Sequence, residues 1–185
     1  LSTCPTGGGK THSISHRVKK FDGVTVEQAH RQELTFQIAM ALARDGIEHR
    51  ILAPDQVCNF IIEKQIETLG RNFVYSGSPH TVVSVDTLLA RAESLGNWPK
   101  QVGLVQTDEG HHVLAENKWG RALNCFPKAL RLALTGTAMR PDRKSLRAGL
   151  GGVYDHLIIG PSTADLLAWG YLTPFKIFGP PPSIR

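Results

Sequence analysis

Cysteine is scarce in this chain of 185 residues. The three that exist, Cys4, Cys58 and Cys125, are scattered, and no Cys-x-x-Cys pair occurs. Neither a disulfide framework nor a structural zinc site is indicated, so a reducing, cytoplasmic setting is the expectation. Long apolar runs are also missing. A bilayer needs about 20 consecutive apolar residues, and nothing here approaches that, so no membrane partner is expected. No basic, apolar, small-residue leader opens the chain, and nothing suggests secretion. There is no internal repeat and no low-complexity tract.

What is present suits one folded domain. Hydrophobic residues make up 41% of the chain, enough for a proper core. The net charge of +5 is compatible with a polyanionic partner, although many soluble domains are mildly basic.

The most informative stretch is Cys4-Pro5-Thr6-Gly7-Gly8-Gly9-Lys10-Thr11. Glycines let backbone N–H groups turn inward around an anion, and the following helix adds its positive N-terminal end. Lys10 would reach the outer phosphates of a nucleoside triphosphate, and the Thr11 hydroxyl would hold a magnesium ion. The strict pattern asks for glycine where Cys4 stands, so it is met in part. The second stretch is Asp108-Glu109-Gly110-His111-His112, which follows the apolar run Val102 to Thr107. An aspartate at a strand end can hold Mg²⁺ through water, and the next carboxylate can polarise the attacking water. His111 reads as a hydrogen-bonding sensor. His112 reads as a packing or capping residue, because adjacent side chains diverge and no further ligand has metal-site spacing.

Between these stretches the chain alternates. A helix is expected from Lys10 to Lys20 and a short strand at Val24–Val26. A second helix spans His30 to Arg44, with Leu34, Ile38 and Leu42 on one stripe and Gly46 as its stop. Arg50 to Ala53 reads as a strand. Asp55 should cap a helix to Leu69 that buries Val57, Ile61, Ile62 and Ile66. Thr81 to Val85 is a strand, after which Asp86 caps a short helix. Val102 to Val105 and Leu130 to Leu134 are further strands, ending at Asp108 and Thr135. Ser162 to Trp169 reads as a helix, broken at Gly170. Gly179-Pro180-Pro181-Pro182 reads as a linker. Such alternation predicts an α/β fold, a parallel sheet with helices on both faces, and ligands at the carboxyl ends of the strands. Residues 4–11, 108–112 and 135–140 would share that edge.

The cradle, the Asp108-Glu109-Gly110-His111 run and Thr135-Gly136-Thr137-Ala138-Met139-Arg140 together resemble the first motor lobe of superfamily 2 helicases. The similarity is nearer to the DEAD/DEAH-box helicases of phage, prophage and restriction systems. It implies a RecA-like P-loop NTPase fold over residues 1–160, with residues 161–185 forming a helix and Pro-rich linker toward a second RecA-like lobe. It implies ATP and Mg²⁺ as ligands, with Pro5, Thr6, Gly7, Gly8, Gly9, Lys10 and Thr11 around the nucleotide, Thr11 and Asp108 on the metal, and Glu109 as the water-positioning base. His111, Thr135 and Thr137 would couple the nucleotide's state to strand movement.

The resemblance also implies a nucleic-acid partner, DNA in preference to RNA. The segment from Glu27 to Leu34, with Gln37 after it, resembles one that touches the nucleic-acid backbone, and His30 and Arg31 suit phosphate contacts there. Ser84 and Thr87 resemble a second strand-tracking motif, with helix capping as the competing role for both hydroxyls. Several positions depart from the family's pattern. Cys4 stands where alanine is common, Gly110 and Gly136 replace alanines, Ala138 replaces proline, and Thr107 stands at an often aliphatic position. The added glycines are expected to loosen the coupling.

Only Leu1, Ser2 and Thr3 precede the cradle, so the fold is expected to be truncated at its first strand. The adenine-recognising segment is then expected before Leu1, and the second lobe with its arginine finger after Arg185. Such an arginine is worth about 10³–10⁵ in rate, so this chain alone is expected to bind ATP weakly and hydrolyse it negligibly. Three other readings remain. A restriction-system motor would translocate without strand separation, a binding module would not hydrolyse ATP, and a small-substrate P-loop kinase would not call for the Asp-Glu-x-His run.

Overall fold

The computed structural model describes residues 1–174. Six strands alternate with helices: β1 (Ser2–Thr3), α1 (Lys10–Lys20), β2 (Val24–Ala29), α2 (Gln32–Arg44), β3 (Arg50–Leu52), α3 (Asp55–Leu69), β4 (His80–Ser84), α4 (Val85–Ala90), β5 (Val102–Thr107), α5 (Lys118–Asn124), β6 (Leu130–Thr135) and α6 (Thr163–Ala168). The sheet order is β1-β6-β5-β2-β4-β3. Every neighbouring pair is parallel.

Parallel strands joined by helices bury both faces, and the side-chain period of two shows it. Val82 and Leu134 face one cluster with Ile14, Ile38, Leu42 and Ile61 from α1, α2 and α3. Their neighbours Val83 and Ala133 face the opposite cluster with Leu88, Leu123 and the fully buried Phe126. The first strand is only two residues long, yet it is well held. Ser2 and Thr3 pair with Leu134 and Thr135, and on the other side Ser2 bridges Ile158. No helix among the described residues is long and apolar enough to cross a membrane.

Several expectations need correction. Asp55 does not cap α3: Pro54 holds that position, and Asp55 sits in the first turn, where its charge still suits the helix dipole. Of the four residues assigned to the buried side of α3, Val57 and Ile61 are buried, whereas Ile66 is 50% exposed. The buried face continues from Val57 and Ile61 to Gln65, which leaves Ile62 half-buried and turns Ile66 outward. Asp86 likewise lies inside α4, whose N-cap is Ser84 with no side-chain bond, and it pairs with Lys118 Nζ at 2.9 Å. The second strand runs past Val26 to Ala29 and buries Glu27 and Gln28 completely. Those two residues therefore cannot touch a nucleic acid. Helix α6 is capped by Ser162, with Asp165 completing a capping box. The Pro-rich stretch 179–182 lies outside the described residues.

Candidate functional site

The parallel register brings the polar stretches to one edge. Thr3 lies beside Thr135, Thr107 beside both Ala133 and Gln28, and Ala29 beside Ser84. The loops that leave these strands therefore start side by side.

The cradle is shaped by its glycines. Gly7 and Gly9 hold φ of +78° and +83°, a left-handed backbone that side-chain-bearing residues rarely adopt. Gly8 N–H donates to the Pro5 carbonyl at 3.0 Å, closing the turn. Helix α1 starts at once, with no side-chain cap and no acidic residue in its first turn. Its first N–H groups and its positive end are left for an anion. Lys10 Nζ lies 3.5 Å from the Cys4 carbonyl and 3.7 Å from Glu109 Oε1.

A cavity of about 400 Å³ opens here, lined by Thr6, Gly7, Gly9, Lys10, Thr11, Asp108 and Glu109. Leu34 and Gln37 of α2 complete its wall with His12. The resemblance groups Leu34 and Gln37 with the backbone-touching segment, and the fold places both against this cavity. Asp108 is buried, and burial pushes its carboxyl above the usual range, with the neighbouring charge of Glu109 adding to the shift. One of its oxygens accepts from Glu109 N–H at 2.9 Å. A crowded pair of carboxylates beside a threonine hydroxyl is an all-oxygen set, which fits a hard cation such as Mg²⁺.

Glu109 carries the one strained backbone of the site, at φ 53° and ψ 48°. That turn aims its carboxylate at both Lys10 and His111. The Nδ1 of His111 lies 3.3 Å from Glu109 Oε2 and 2.7 Å from Thr135 Oγ1. The Thr135 hydroxyl donates its single proton to the Thr137 carbonyl at 2.8 Å, so it accepts from His111. His111 therefore carries a proton on Nδ1. Arg140 Nη1 donates to the His111 carbonyl at 2.7 Å while its guanidinium grips Asp142 through two bonds. The turns that follow β5 and β6 are thus tied together.

Gly110 is held tightly. A β-carbon there would meet Ala133 Cβ at 2.5 Å, Leu1 Cδ1 at 2.9 Å and the Tyr154 hydroxyl at 2.9 Å. Tyr154 donates to the Gly110 carbonyl at 3.1 Å, and burial raises its own pKa. Ala133, Leu1 and Tyr154 together fill the space that an alanine side chain at 110 would need.

The second group of expected residues is looser. His30 follows Ala29, the register partner of Ser84, and packs 4.9 Å from the His112 ring and 6.3 Å from Trp119. Burial lowers the pKa of His30, and burial with the charges of His111 and His30 lowers that of His112 to about 4. Both rings are neutral at pH 7. Arg31 is exposed at the start of α2, and Thr87 is half-buried within α4. The structure gives His112 a packing role in a stack with Trp119, at 5.5 Å. Tyr154 and the link from Arg140 to His111 carried no sequence signal, since each acts through a partner distant in the chain.

The family described as "Type III restriction enzyme, res subunit" matches residues 1–140. No curated protein matches the chain. Among solved structures, the Hef helicase domain of Pyrococcus furiosus is similar at a TM-score of 0.61 and 19% identity, over 91% of this chain and 36% of that one. The UvsW helicase of bacteriophage T4 is similar at 0.57 and 13%, over 86% and 54%. The type ISP restriction-modification enzyme LlaGI, in complex with a DNA substrate mimic, is similar at 0.55 and 13%, over 91% and 18%. The chain thus spans about half or less of these proteins. What they share with it is the fold, a RecA-like α/β lobe.

Proposed function

The chain belongs to the family of the type III restriction enzyme res subunit, and on that premise we propose that it is the ATP-binding lobe of a superfamily 2 motor that hydrolyses ATP to move on nucleic acid. The observation that carries this reading is the convergence of Lys10 and Thr11 with Asp108 and Glu109 on one cavity. A glycine turn or a solvated acidic pair would need no such convergence.

In this reading the N–H groups of the cradle and of the first turn of α1 bind the phosphates. Lys10 neutralises the outer ones. Thr11 and Asp108 hold Mg²⁺, which when bound offsets the charge that develops on the transferred phosphoryl group. Glu109, held in its strained turn, accepts a hydrogen bond from the attacking water and orients it. His111 reads the same carboxylate and reports it to Thr135 and Thr137. Leu34 and Gln37 form the α2 side of the site.

His30, Arg31, Ser84 and Thr87 would grip the backbone of a nucleic acid without reading its sequence. The Ser84 hydroxyl makes no capping bond, which favours the phosphate role over capping. DNA is preferred over RNA, because the family's name is that of a restriction subunit and LlaGI was solved with a DNA mimic. The same two findings support a second reading, in which a restriction-system motor translocates without separating strands.

The test is ATP turnover by the full-length protein with and without DNA. A motor is stimulated by DNA, a small-substrate kinase is indifferent to it, and a binding module does not turn over. Strand displacement assayed alongside distinguishes unwinding from translocation.

A further inference from the structure

The glycine turn of the cradle is also packed from behind. Two side chains from the far end of the chain occupy the space that its glycines leave. Leu172 Cδ2 lies 2.8 Å from where a β-carbon on Gly7 would stand, and Leu166 Cδ1 lies 3.1 Å from the same point on Gly8. On its other side Gly8 is packed by Cys4 Sγ, 2.8 Å from that point. Leu166 is buried, although α6 is otherwise mostly exposed.

The route that delivers these leucines is built from specific bonds. Residues 158–160 run beside β1: Ile158 N–H donates to the Leu1 carbonyl at 2.8 Å, and Thr3 N–H to the Ile158 carbonyl at 2.9 Å. Gly160 N–H then donates to Thr3 Oγ1 at 3.0 Å. The Ser162–Asp165 capping box starts α6 directly after. At the other end, Gly170 takes φ +76° and reverses the chain. Tyr171 N–H and Leu172 N–H both donate to the Leu166 carbonyl, at 2.9 and 3.1 Å. That turn sets Leu172 beside Leu166, and both meet the cradle. Each step is spent on placing two apolar side chains behind a loop whose own residues are nearly all small.

We propose that Leu166 and Leu172 are positioning residues of the nucleotide site: they brace the Gly7–Gly8 turn in its anion-receiving shape. The inference rests on the reading of this site as an ATP site. Glycine carries no side chain to limit its backbone, so the loop has many alternative conformations. Filling the space behind it removes those conformations before the phosphate arrives, which is preorganisation. The brace touches no phosphate. It acts on affinity through the loop and leaves Lys10, Thr11, Asp108 and Glu109 unchanged.

The test compares the full-length protein with its Leu172→Ala, Leu172→Met and Lys10→Ala variants. The probe is a fluorescent N-methylanthraniloyl ATP with Mg²⁺, and the second readout is amide hydrogen exchange at residues 6–9. Leu172→Ala is expected to weaken binding about tenfold and to speed exchange at 6–9, with the melting temperature nearly unchanged. Leu172→Met, which refills the space, restores both. If the unaltered protein binds the probe, Lys10→Ala abolishes binding, and Leu172→Ala matches the unaltered protein in affinity and exchange, the brace is refuted while the ATP site stands. If the folded, unaltered full-length protein binds no probe at any concentration, the ATP reading fails and the brace falls with it. Should Leu172→Ala melt early, Leu172→Met against Gly170→Ala decides instead. A β-carbon on Gly170 meets nothing within 4 Å, so that variant disturbs only the turn delivering Leu172, and unchanged exchange at 6–9 would overturn the proposal.

Discussion

His111 Nδ1 lies 2.7 Å from Thr135 Oγ1, across 24 residues of sequence and between the ends of two adjacent strands. The single proton of the Thr135 hydroxyl is already given to the Thr137 carbonyl, so the imidazole must donate. Nitrogen NMR of the ring should therefore find a proton on His111 Nδ1. Thr135→Val removes the acceptor. In the full-length protein it should leave nucleotide affinity within about twofold and lower DNA-stimulated turnover about tenfold. An unchanged stimulated rate would remove His111 and Thr135 from the coupling path.

Gly110→Ala restores the residue that the resemblance leads one to expect, and here it should harm the protein. The new methyl group would press on Ala133, Leu1 and Tyr154. Overpacking of this kind costs about 1–3 kcal/mol, read as a lowered melting temperature of about 2–4 °C per kcal/mol. Tyr154→Phe removes one hydrogen bond to the Gly110 carbonyl and should cost about 0.5–1.5 kcal/mol. A Gly110→Ala protein of full stability would show that the packing around residue 110 yields easily.

Glu27 gives the chain a pH dependence unrelated to its ligand. It is fully buried in β2, and burial pushes its carboxyl up to about 8. Thr25 and Gln106 lie close enough to offset part of this, yet neither completes a well-formed hydrogen bond to its oxygens. The folded state thus holds a proton that the unfolded state releases near its ordinary pKa. That contribution is fully present below the unfolded pKa and is lost as the pH rises through about 8. Thermal melts should fall between pH 5 and pH 8 by at least about 3 °C more for the unaltered chain than for Glu27→Gln. Parallel curves for the two proteins would mean that the carboxyl finds a partner or water inside.

Arg31 stands exposed at the carboxyl edge, away from the nucleotide cavity. If it meets a phosphate of the nucleic acid, Arg31→Ala in the full-length protein should flatten the dependence of log affinity on log salt by about one. Nucleotide affinity should not move. An unaltered salt slope would assign Arg31 to the solvated surface.

Much of this was legible in residue order because the signals were local. The cradle, the Asp108-Glu109 pair and the helix stops at Gly46 and Gly170 each need only a few neighbouring residues to be recognised. The second strand was read too short because Glu27 and Gln28 look like a polar end, whereas the neighbouring strands bury them. Helix α5 was not expected at all. It is seven residues long with Gly120 in its first turn, a poor helix former. Its real signal is Asn117, whose side chain accepts from Trp119 and Gly120 N–H, and a β-carbon on Gly120 would strike the Leu114 carbonyl. Tyr154, Leu166 and Leu172 were illegible for a different reason. Each serves a residue at least 44 positions away, and no period or spacing connects them.

Lys10 and Glu109 meet as an ion pair at 3.7 Å on the wall of one cavity, and in the proposed function both serve the same triphosphate. The most direct measurement is single-turnover ATP cleavage and nucleotide affinity for full-length Lys10→Ala and Glu109→Gln beside the unaltered protein, with DNA present. Lys10→Ala should lose binding, whereas Glu109→Gln should keep it and cleave at least about a hundredfold more slowly. Cleavage by Glu109→Gln at the unaltered rate, with binding intact in Lys10→Ala, would contradict it.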